Sequence, residues 1–202
     1  MIEPLRLRDG ESALFGYGSL LSIESLERTL GRRYTGPFLV CWLEGWRRSW
    51  DVAMPNRVFY ADLPSGRVYP EHILYLNIRR SPGSRVNGVL FVVNSEELAA
   101  YDRREWIYDR EDVTGELSGV SITSGRAYTY VAKRERLMVG VTSPQYAAVR
   151  ATYLEILEDG FKGLGEDFRA EFEASTDPVP RHLIIPDRHK RATPLTAQRN
   201  PP

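Results

Sequence analysis

The segment from Ala13 to Ser22, ALFGYGSLLS, places two glycines around a tyrosine inside an otherwise apolar run. The apolar residues predict a β-strand, and the glycines predict a turn that uses a positive φ angle at one of them. The following SIESLERTL predicts a short helix that begins after Ser22 and ends at Gly31. Backbone N–H groups between a strand and a helix can also bind a carboxylate or an oxyanion, so the segment fits either a tight turn or a ligand-binding loop.

Outward from this segment, runs rich in β-branched and aromatic residues predict further strands. These runs cover residues 36–50, 56–63, 71–80, 86–94, 112–117, 120–125 and 126–133. Two intervening segments, LPSG at 63–66 and RSPGSRVNG at 80–88, have the composition of turns and predict hairpin connections.

Three further helices are predicted where the sequence changes its period. The first, SEELAAYDRRE, is predicted to begin with Ser95 as its N-cap residue. The second, TSPQYAAVRATYLEILEDG, is predicted to have Ser143 as its N-cap, Pro144 in its first position and Gly160 at its end. The third is predicted over residues 165–175.

The order of these elements contains almost no β–α–β alternation, which favours an α+β fold. We expect a small mixed β-barrel, closed or half-closed, with flanking helices. The folded domain is predicted to cover residues 1–176. Residues 177–202 are rich in proline and arginine and are predicted to form a C-terminal tail, whose end we expect to be loosely held.

The composition is that of an ordinary globular protein without a charge bias. The chain has 202 residues, of which 42% are hydrophobic, and its 27 Lys and Arg residues balance 27 Asp and Glu residues. A net charge of zero creates no overall field that would attract nucleic acid or an anionic membrane. Because the sequence has no signal-peptide pattern, no long apolar run and only one cysteine, Cys41, we expect a cytoplasmic protein without a disulfide framework.

Common motifs of phosphate binding, serine hydrolysis and zinc proteolysis do not occur in the sequence. There is no GxxxxGK[ST], G-x-S-x-G, HExxH or CxxC pattern, and Leu21 stands where a GxGxxG motif would need its third glycine. His72 opens a predicted strand, while His182 and His189 lie near the C-terminus. This placement does not favour a histidine-based metal site or a Ser/His triad.

Glu105 is the candidate catalytic residue. It follows the predicted helix that begins near Ser95 and has Tyr101, Trp106 and Tyr108 as neighbours. A carboxylate in apolar surroundings has a raised pKa and can act as a general base near neutral pH. The alternative is a surface ion pair between Glu105 and a nearby arginine, which is typical of charge-rich helix ends.

Tryptophans recur at every fourth residue of the segment WLEGWRRSW. In a strand, this spacing puts Trp42, Trp46 and Trp50 on one face, which indicates an aromatic ladder against the core. Arg47 and Arg48 would then point to opposite faces, so at most one of them could reach a ligand that carries a carboxylate.

Several segments, taken together, resemble the γ-glutamylcyclotransferase-like superfamily, which includes the ChaC-type enzymes. They are FGYGSLL, GWRRSW, the stretch from NGVLFVVNSEEL to YDRREWIYDREDV, YTYVA and SPQYAAVRATYLEILEDG, in the family's order over residues 13–175. The resemblance implies a small mixed β-barrel with flanking helices. It also implies an enzyme that cyclises a γ-glutamyl group, releases 5-oxoproline with an amine or amino acid, and needs no metal or cofactor.

The same resemblance implies roles for individual residues. Glu105 would be the catalytic acid and base. The substrate-binding residues would be Tyr17, Gly18, Ser19, Leu20, Tyr108 and Tyr130. The partner is then a small-molecule γ-glutamyl substrate. Its class stays open, because YGSL and GWRRSW lean toward the glutathione-degrading ChaC-like branch, whereas SPQY and the helices after it lean toward the γ-glutamyl-amino-acid branch.

Two other functions are compatible with the sequence. The first is a non-catalytic small-ligand binding or sensor module that keeps the same pocket. The second is contact between an anionic partner and the basic C-terminal segment RHKRATPLTAQRNPP, for which a solvated terminus is the more ordinary interpretation.

Overall fold

The computed structural model describes residues 4–189, and in this range strands predominate around four α-helices. The strands are β1 (Leu5–Arg6), β2 (Glu11–Gly16), β3 (Phe38–Pro55), β4 (Phe59–Leu63), β5 (Gly66–Val68), β6 (His72–Asn94), β7 (Tyr108–Asp112), β8 (Leu117–Ser118), β9 (Ile122–Ser124), β10 (Ala127–Ala132), β11 (Ala147–Arg150), β12 (Ile184–Ile185) and β13 (Arg188–His189). The helices are α1 (Ile23–Leu30), α2 (Ser95–Arg104), α3 (Ala151–Leu164) and α4 (Glu166–Ala174). None of the helices in this range has the length and apolarity needed to cross a membrane.

An eight-stranded sheet, curled into a half-barrel, forms the centre of the fold and confirms the predicted α+β class. Its main path follows the order β12, β11, β6, β2, β10 and β7, and β3 joins by pairing with β6 and β8. The short strand β2 pairs with β6 on one side and with β10 on the other. Residues 13–15 of β2 are at most 1% exposed. The loop after β2 therefore starts in the middle of the sheet.

Aromatic side chains attach the last two helices to each other within the main core. Phe161 of α3 packs on Phe168 and Phe172 of α4, with ring centroids 6.4 Å and 4.9 Å away. All three rings belong to the main buried cluster, together with side chains of β2, β3 and β6. Fully burying one such side chain stabilises the fold by about 1.5–3 kcal/mol. This packing fixes α3 against the sheet.

The first helix has the predicted ends. Ser22 is its N-cap, and the Ser22 Oγ accepts a hydrogen bond from the Ser25 N–H at 3.4 Å. Gly31 follows the last turn with φ of 67°, the left-handed conformation in which glycine commonly ends helices.

The second helix begins one residue earlier than predicted, because Asn94 and not Ser95 is the N-cap. The Asn94 side chain accepts from the Glu97 N–H at 2.9 Å, and the Glu97 carboxylate accepts from the Asn94 N–H at 3.0 Å. This reciprocal capping box satisfies two N–H groups at once. Ser95 instead donates from its hydroxyl to the Gly10 carbonyl at 3.0 Å.

The prediction of a helix from Ser143 onward is wrong at its start. Residues 144–146 form a turn, Ala147–Arg150 form β11, and α3 begins only at Ala151. β11 pairs in parallel with β6 and with β12, and its first three residues are fully buried. Pairing with strands distant in the sequence therefore overrides the local helical spacing of this segment.

Gly160 does not end α3 as predicted but lies inside it, at a close contact with the loop after β2. A Cβ atom at Gly160 would lie 2.9 Å from the backbone carbon of Leu21. Glycine is therefore required here by close approach, and the contact brings α3 to the loop.

The predicted hairpin at residues 80–88 is also wrong, because the chain continues through it as the single strand β6. β3 and β6 stay paired on both sides of the segment: Glu44 lies opposite Arg85, and Trp46 lies opposite Arg80. Gly45, with φ of 81°, faces the extra residues of β6. The turn-forming composition thus produces an irregularity within a strand pair.

The tryptophans of β3 do not form the predicted ladder. Two bulges in β3 shift its register, so an even spacing along the chain no longer means one face of the sheet. Trp42 and Trp46 donate from their indole nitrogens to different carboxylates, those of Glu171 and Glu116, at 2.6 Å and 2.7 Å.

The domain boundary at residue 176 stays a prediction. The residues directly after it, up to His189, pack against the rest of the fold. β12 pairs with β11, β13 pairs with β4, and Leu183 is 1% exposed. Asp187 accepts from the Thr152 N–H at 3.0 Å and from the Arg150 Nε at 2.9 Å, at the start of α3. Residues 190–202, with most of the basic C-terminal segment, lie outside the described residues.

Candidate active site

A cleft opens where the loop after β2 meets the C-terminal end of α2. It contains about 340 Å³ of space, part of which is open to solvent. All seven residues that the resemblance implies for the site line it: Tyr17, Gly18, Ser19, Leu20, Glu105, Tyr108 and Tyr130. The fold thus brings together residues from the loop after β2, the end of α2, β7 and β10 that are up to 113 positions apart in the sequence.

The glycines of the loop are required by close packing and not by a positive φ, which neither Gly16 nor Gly18 has. A Cβ atom at Gly16 would lie 2.7 Å from the Cβ of Leu20. A Cβ atom at Gly18 would lie 3.0 Å from the hydroxyl of Tyr153. The loop can therefore fold tightly on itself only with glycine at position 16, whereas a side chain at position 18 would require Tyr153 to move by a few tenths of an ångström.

Side chains from three other elements hold the loop in place. Tyr17 donates from its hydroxyl to the Tyr130 carbonyl of β10 at 2.7 Å. The Tyr17 carbonyl accepts from the Arg48 Nε of β3 at 3.0 Å. The Ser19 hydroxyl accepts from the Arg104 Nη2 of α2 at 2.9 Å. The loop is therefore fixed from both sides of the cleft before any ligand binds.

Three successive backbone N–H groups of the loop, those of Gly18, Ser19 and Leu20, have no hydrogen-bond acceptor within residues 4–189. Gly18 and Leu20 are buried. Because nearly all buried backbone N–H groups in proteins have a partner, these donors indicate a place for a ligand oxygen.

Glu105 lies at the C-terminal end of α2, where its own N–H donates to the Tyr101 carbonyl at 2.8 Å. Its side chain is only 16% exposed and contacts the Arg104 Nε at 3.1 Å. Burial raises the pKa of the Glu105 carboxyl, and the Arg104 charge offsets this only in part. Glu105 thus has features of both sequence interpretations. Its carboxylate forms an ion pair with an arginine, as in the surface alternative, but it is largely buried and lines the cleft, as expected of a catalytic residue.

The tyrosines of the cleft are neutral hydrogen-bond donors. Burial raises the pKa of both Tyr17 and Tyr108 well above the ordinary value. Tyr108 donates from its hydroxyl to the Leu76 carbonyl at 2.8 Å. The Tyr130 hydroxyl donates to the Asp102 carboxylate at 2.9 Å, so Tyr130 lines the cleft with its ring and not with a free hydroxyl.

Tyr153 is a cleft residue that the sequence analysis missed. It lies on α3, is 6% exposed and packs edge-on against Tyr75 with ring centroids 5.0 Å apart. In the sequence it lies four residues after Val149 and four before Leu157, a spacing typical of an apolar helix face. No local pattern separates a tyrosine of the core from one whose hydroxyl reaches a cleft.

A second chamber of about 730 Å³ adjoins the cleft, and the two share a boundary of four residues: Ser19, Glu105, Tyr108 and Tyr153. The outer chamber is also lined by Arg28, Arg104, Arg150 and Tyr75. Arg150 is held there by its ion pair with Asp187. Glu105 therefore lies between two spaces, one closed by the loop and one bordered by arginines. Within residues 4–189 no cluster of His, Cys, Asp and Glu has the arrangement of a metal site.

Comparison with known proteins places this arrangement in a family. The family model described as γ-glutamyl cyclotransferase, AIG2-like, matches residues 14–148, which is more than half of the chain. No curated protein matched the sequence.

Solved structures with the same fold include a protein named γ-glutamyl cyclotransferase, which is 19% identical with a TM-score of 0.55 over 84% of this chain and 90% of that chain. A human protein described as uncharacterised is 20% identical, with a TM-score of 0.52 over the same shares. The Bacillus subtilis protein YkqA is 15% identical, with a TM-score of 0.54 over 81% of this chain and 53% of that one. These identities support the fold alone, whereas the family model covers the loop and Glu105. The chain belongs to the γ-glutamyl cyclotransferase, AIG2-like family.

Proposed function

We propose that this chain is an enzyme that cyclises the γ-glutamyl group of a small substrate, releasing 5-oxoproline and an amine or amino acid. The observation that carries this proposal is the shared cleft of Glu105 and the loop. A buried carboxylate with a raised pKa and three backbone N–H groups without partners line the same space. A base and a set of anion-binding donors are the two components that this cyclisation requires.

In the proposed reaction, the α-amine of the glutamyl group attacks its own γ-carbonyl carbon. Glu105 accepts a proton from the attacking nitrogen and returns one to the leaving nitrogen, so that the C–N bond to the leaving group breaks and the carboxylate is restored. The N–H groups of Gly18 and Ser19 can stabilise the negative oxygen of the tetrahedral intermediate or hold the α-carboxylate. Because the reaction is intramolecular, a cleft that holds the glutamyl chain folded supplies part of the rate.

The two adjoining spaces suit the two parts of such a substrate. We assign the glutamyl group to the cleft, where the loop and the rings of Tyr130 and Tyr153 enclose it. The leaving group then extends into the outer chamber, beside Arg104 and Arg150. The bond that breaks would lie at their boundary, next to Glu105, where one carboxylate can serve both nitrogens.

The proposal is tested by measuring 5-oxoproline release from γ-glutamyl amino acids, glutathione and γ-glutamylamines. We expect turnover of at least one class, and a loss of about 10²–10⁴-fold in Glu105→Gln, the range for removal of a general acid and base. Glu96→Gln is the matched control, because Glu96 lies on the same helix, is exposed and does not line the cleft.

Two results would contradict the proposal in different ways. A folded Glu105→Gln variant as active as the parent would remove Glu105 from the reaction. A wild-type protein that binds 5-oxoproline but turns over none of the three substrate classes would support the non-catalytic binding or sensor module instead.

A further inference from the structure

Arg48 is a fully buried arginine whose side-chain hydrogen bonds within residues 4–189 all go to neutral oxygens. It is 0% exposed, whereas the adjacent Arg47 is half-buried. The carboxylate that acts on it most strongly, Glu171, is itself bound by Trp42 and Arg85. A buried charge without an ionic partner is costly to the folded state, so its place in the fold calls for a reason beyond packing.

The contacts of Arg48 converge from three parts of the chain. Its Nη1 donates to the Ser175 hydroxyl at 2.7 Å, and its Nη2 donates to the carbonyl and to the side-chain oxygen of Asn87. The Phe172 ring lies 4.0 Å from the guanidinium carbon. Its Nε donates to the Tyr17 carbonyl at 3.0 Å, at the base of the cleft loop.

The Tyr17 carbonyl and the Gly18 N–H belong to one peptide unit. The described residues contain no cis peptide bond, and in a trans peptide the C=O and the N–H point in opposite directions. With the carbonyl directed toward Arg48, the Gly18 N–H is directed away from it. This N–H has no acceptor within residues 4–189, and Gly18 lines the cleft.

We propose that Arg48 is a positioning residue of the active site, which acts through the Tyr17–Gly18 peptide. Its charged hydrogen bond fixes the plane of this peptide and polarises it, so that the Gly18 N–H is presented as a stronger donor to a negative oxygen of the substrate. The inference rests on the proposed function, because it needs a negative oxygen in the cleft. Burial lowers the pKa of Arg48 to about 9, so the guanidinium remains cationic at neutral pH.

Three variants test this role through kcat/KM for 5-oxoproline release. Arg48→Met removes the charge and should lower kcat/KM by about 10–100-fold, less than the full loss of an oxyanion donor, because the N–H remains but is no longer fixed. Arg48→Lys keeps a charge and should recover part of this loss. Ser175→Ala removes a different contact of Arg48, leaves the one to Tyr17, and should stay close to the wild type.

A purely structural role gives another pattern. It would lower the melting temperature in Arg48→Met and Arg48→Lys alike while leaving kcat/KM of the folded enzyme near the wild-type value, and this result would overturn the proposal. Equal kcat/KM losses in the Met and Lys variants would overturn it as well.

A measurement on the wild type keeps the test decisive if Arg48→Met does not fold. In ¹H–¹⁵N spectra, added 5-oxoproline should shift the Gly18 amide proton downfield, because either its lactam or its carboxylate oxygen can accept from it. An unchanged Gly18 signal, with other cleft residues shifted, would overturn the proposal. Wild-type protein without any turnover would refute the proposed enzymatic function but leave the Gly18 measurement possible. Failure of the proposed function and failure of the Arg48 proposal are therefore distinguishable.

Discussion

Each side of the cleft contains an arginine that holds the loop, but the two arginines differ in burial and in the charge of their partners. On the loop side, Arg48 is fully buried and donates only to neutral oxygens, so its charge is not cancelled by a neighbour. On the α2 side, Arg104 is 27% exposed and pairs with Glu105, whose pKa it lowers against the effect of burial. Both arginines hold the same loop, but Arg48 strengthens the Gly18 N–H as a donor whereas Arg104 lowers the pKa of the base Glu105.

The largest effect is expected from breaking the loop side. Gly16→Ala would place a Cβ 2.7 Å from the Cβ of Leu20, so the loop must move. A displacement of about 1 Å in a positioned group can cost about 100-fold in rate, and we expect a loss of kcat/KM of that order.

Gly163→Ala is the control for Gly16→Ala. Gly163 lies in α3 with no atom within 4 Å of an added Cβ, so this variant should keep its activity and gain about 0.5–1 kcal/mol of stability. Full activity of folded Gly16→Ala would mean that the loop tolerates movement and that its rigid fixation is irrelevant to the reaction.

A smaller effect is expected from the α2 side. Arg104→Met removes the charge that lowers the pKa of Glu105, so this pKa should rise further. Because Glu105 must be ionised to accept a proton, the acidic limb of the kcat/KM profile should move to higher pH. Activity relative to the wild type should fall most on the acidic side of the profile and recover as pH rises.

The measurement is the pH profile of Arg104→Met beside that of Arg103→Met, an exposed neighbour on α2 that does not line the cleft. A uniform loss at every pH would show that Arg104 acts only through its hydrogen bonds to α1 and Ser19.

One tyrosine links the two sides and should have a weaker effect. The Tyr130 carbonyl accepts a hydrogen bond from the Tyr17 hydroxyl, and the Tyr130 hydroxyl donates one to the Asp102 carboxylate of α2. Tyr130→Phe removes only the second hydrogen bond, which goes to a carboxylate, so we expect about 1.5–3 kcal/mol of lost stability. We expect kcat/KM to change by at most about threefold, because this hydrogen bond stabilises the folded protein and contributes little to the activation free energy of the reaction. A loss in kcat/KM above about tenfold would place the Tyr130 hydroxyl in the reaction.

The smallest effect concerns stability. The folded-state pKa of Glu105 is raised, so between the unfolded and folded pKa values the native state binds more protons, and stability falls as pH rises through this window. Glu105→Gln should therefore melt at about the same temperature as the wild type in acid and a few degrees higher at neutral pH. Thermal melts at the two pH values test this, and a lower melting temperature at neutral pH would show that the Arg104 pair outweighs burial.

The sequence predicted local features of this fold better than distant ones. The Ser22 cap and the Gly31 end follow from signals within a few residues, the α+β class follows from the order of elements predicted in this way, and the structure confirms all three. The start of α3 was wrong because β11 owes its conformation to pairing with β6 and β12, which lie far away in the chain.

The candidate site divides in the same way. The resemblance supplied Glu105 and the loop, and the fold brings them together in one cleft. Tyr153 and the contact between Arg48 and the Tyr17 carbonyl could not be predicted, because both depend on how α3 and β3 pack around the loop. A buried arginine in a strand has no sequence signal that tells which carbonyl it will meet.

The contact of Asp187 with the start of α3 affects how far the chain can be truncated from its C-terminal end. The helix that carries Tyr153 has no capping side chain of its own, and its Thr152 N–H depends on Asp187, well beyond residue 148, where the family match ends. A chain shortened to the matched residues 14–148 would keep Glu105 and the loop but lose α3, and with it Tyr153 of the cleft. The region that the family model matches is therefore shorter than the length of chain needed to line the whole cleft.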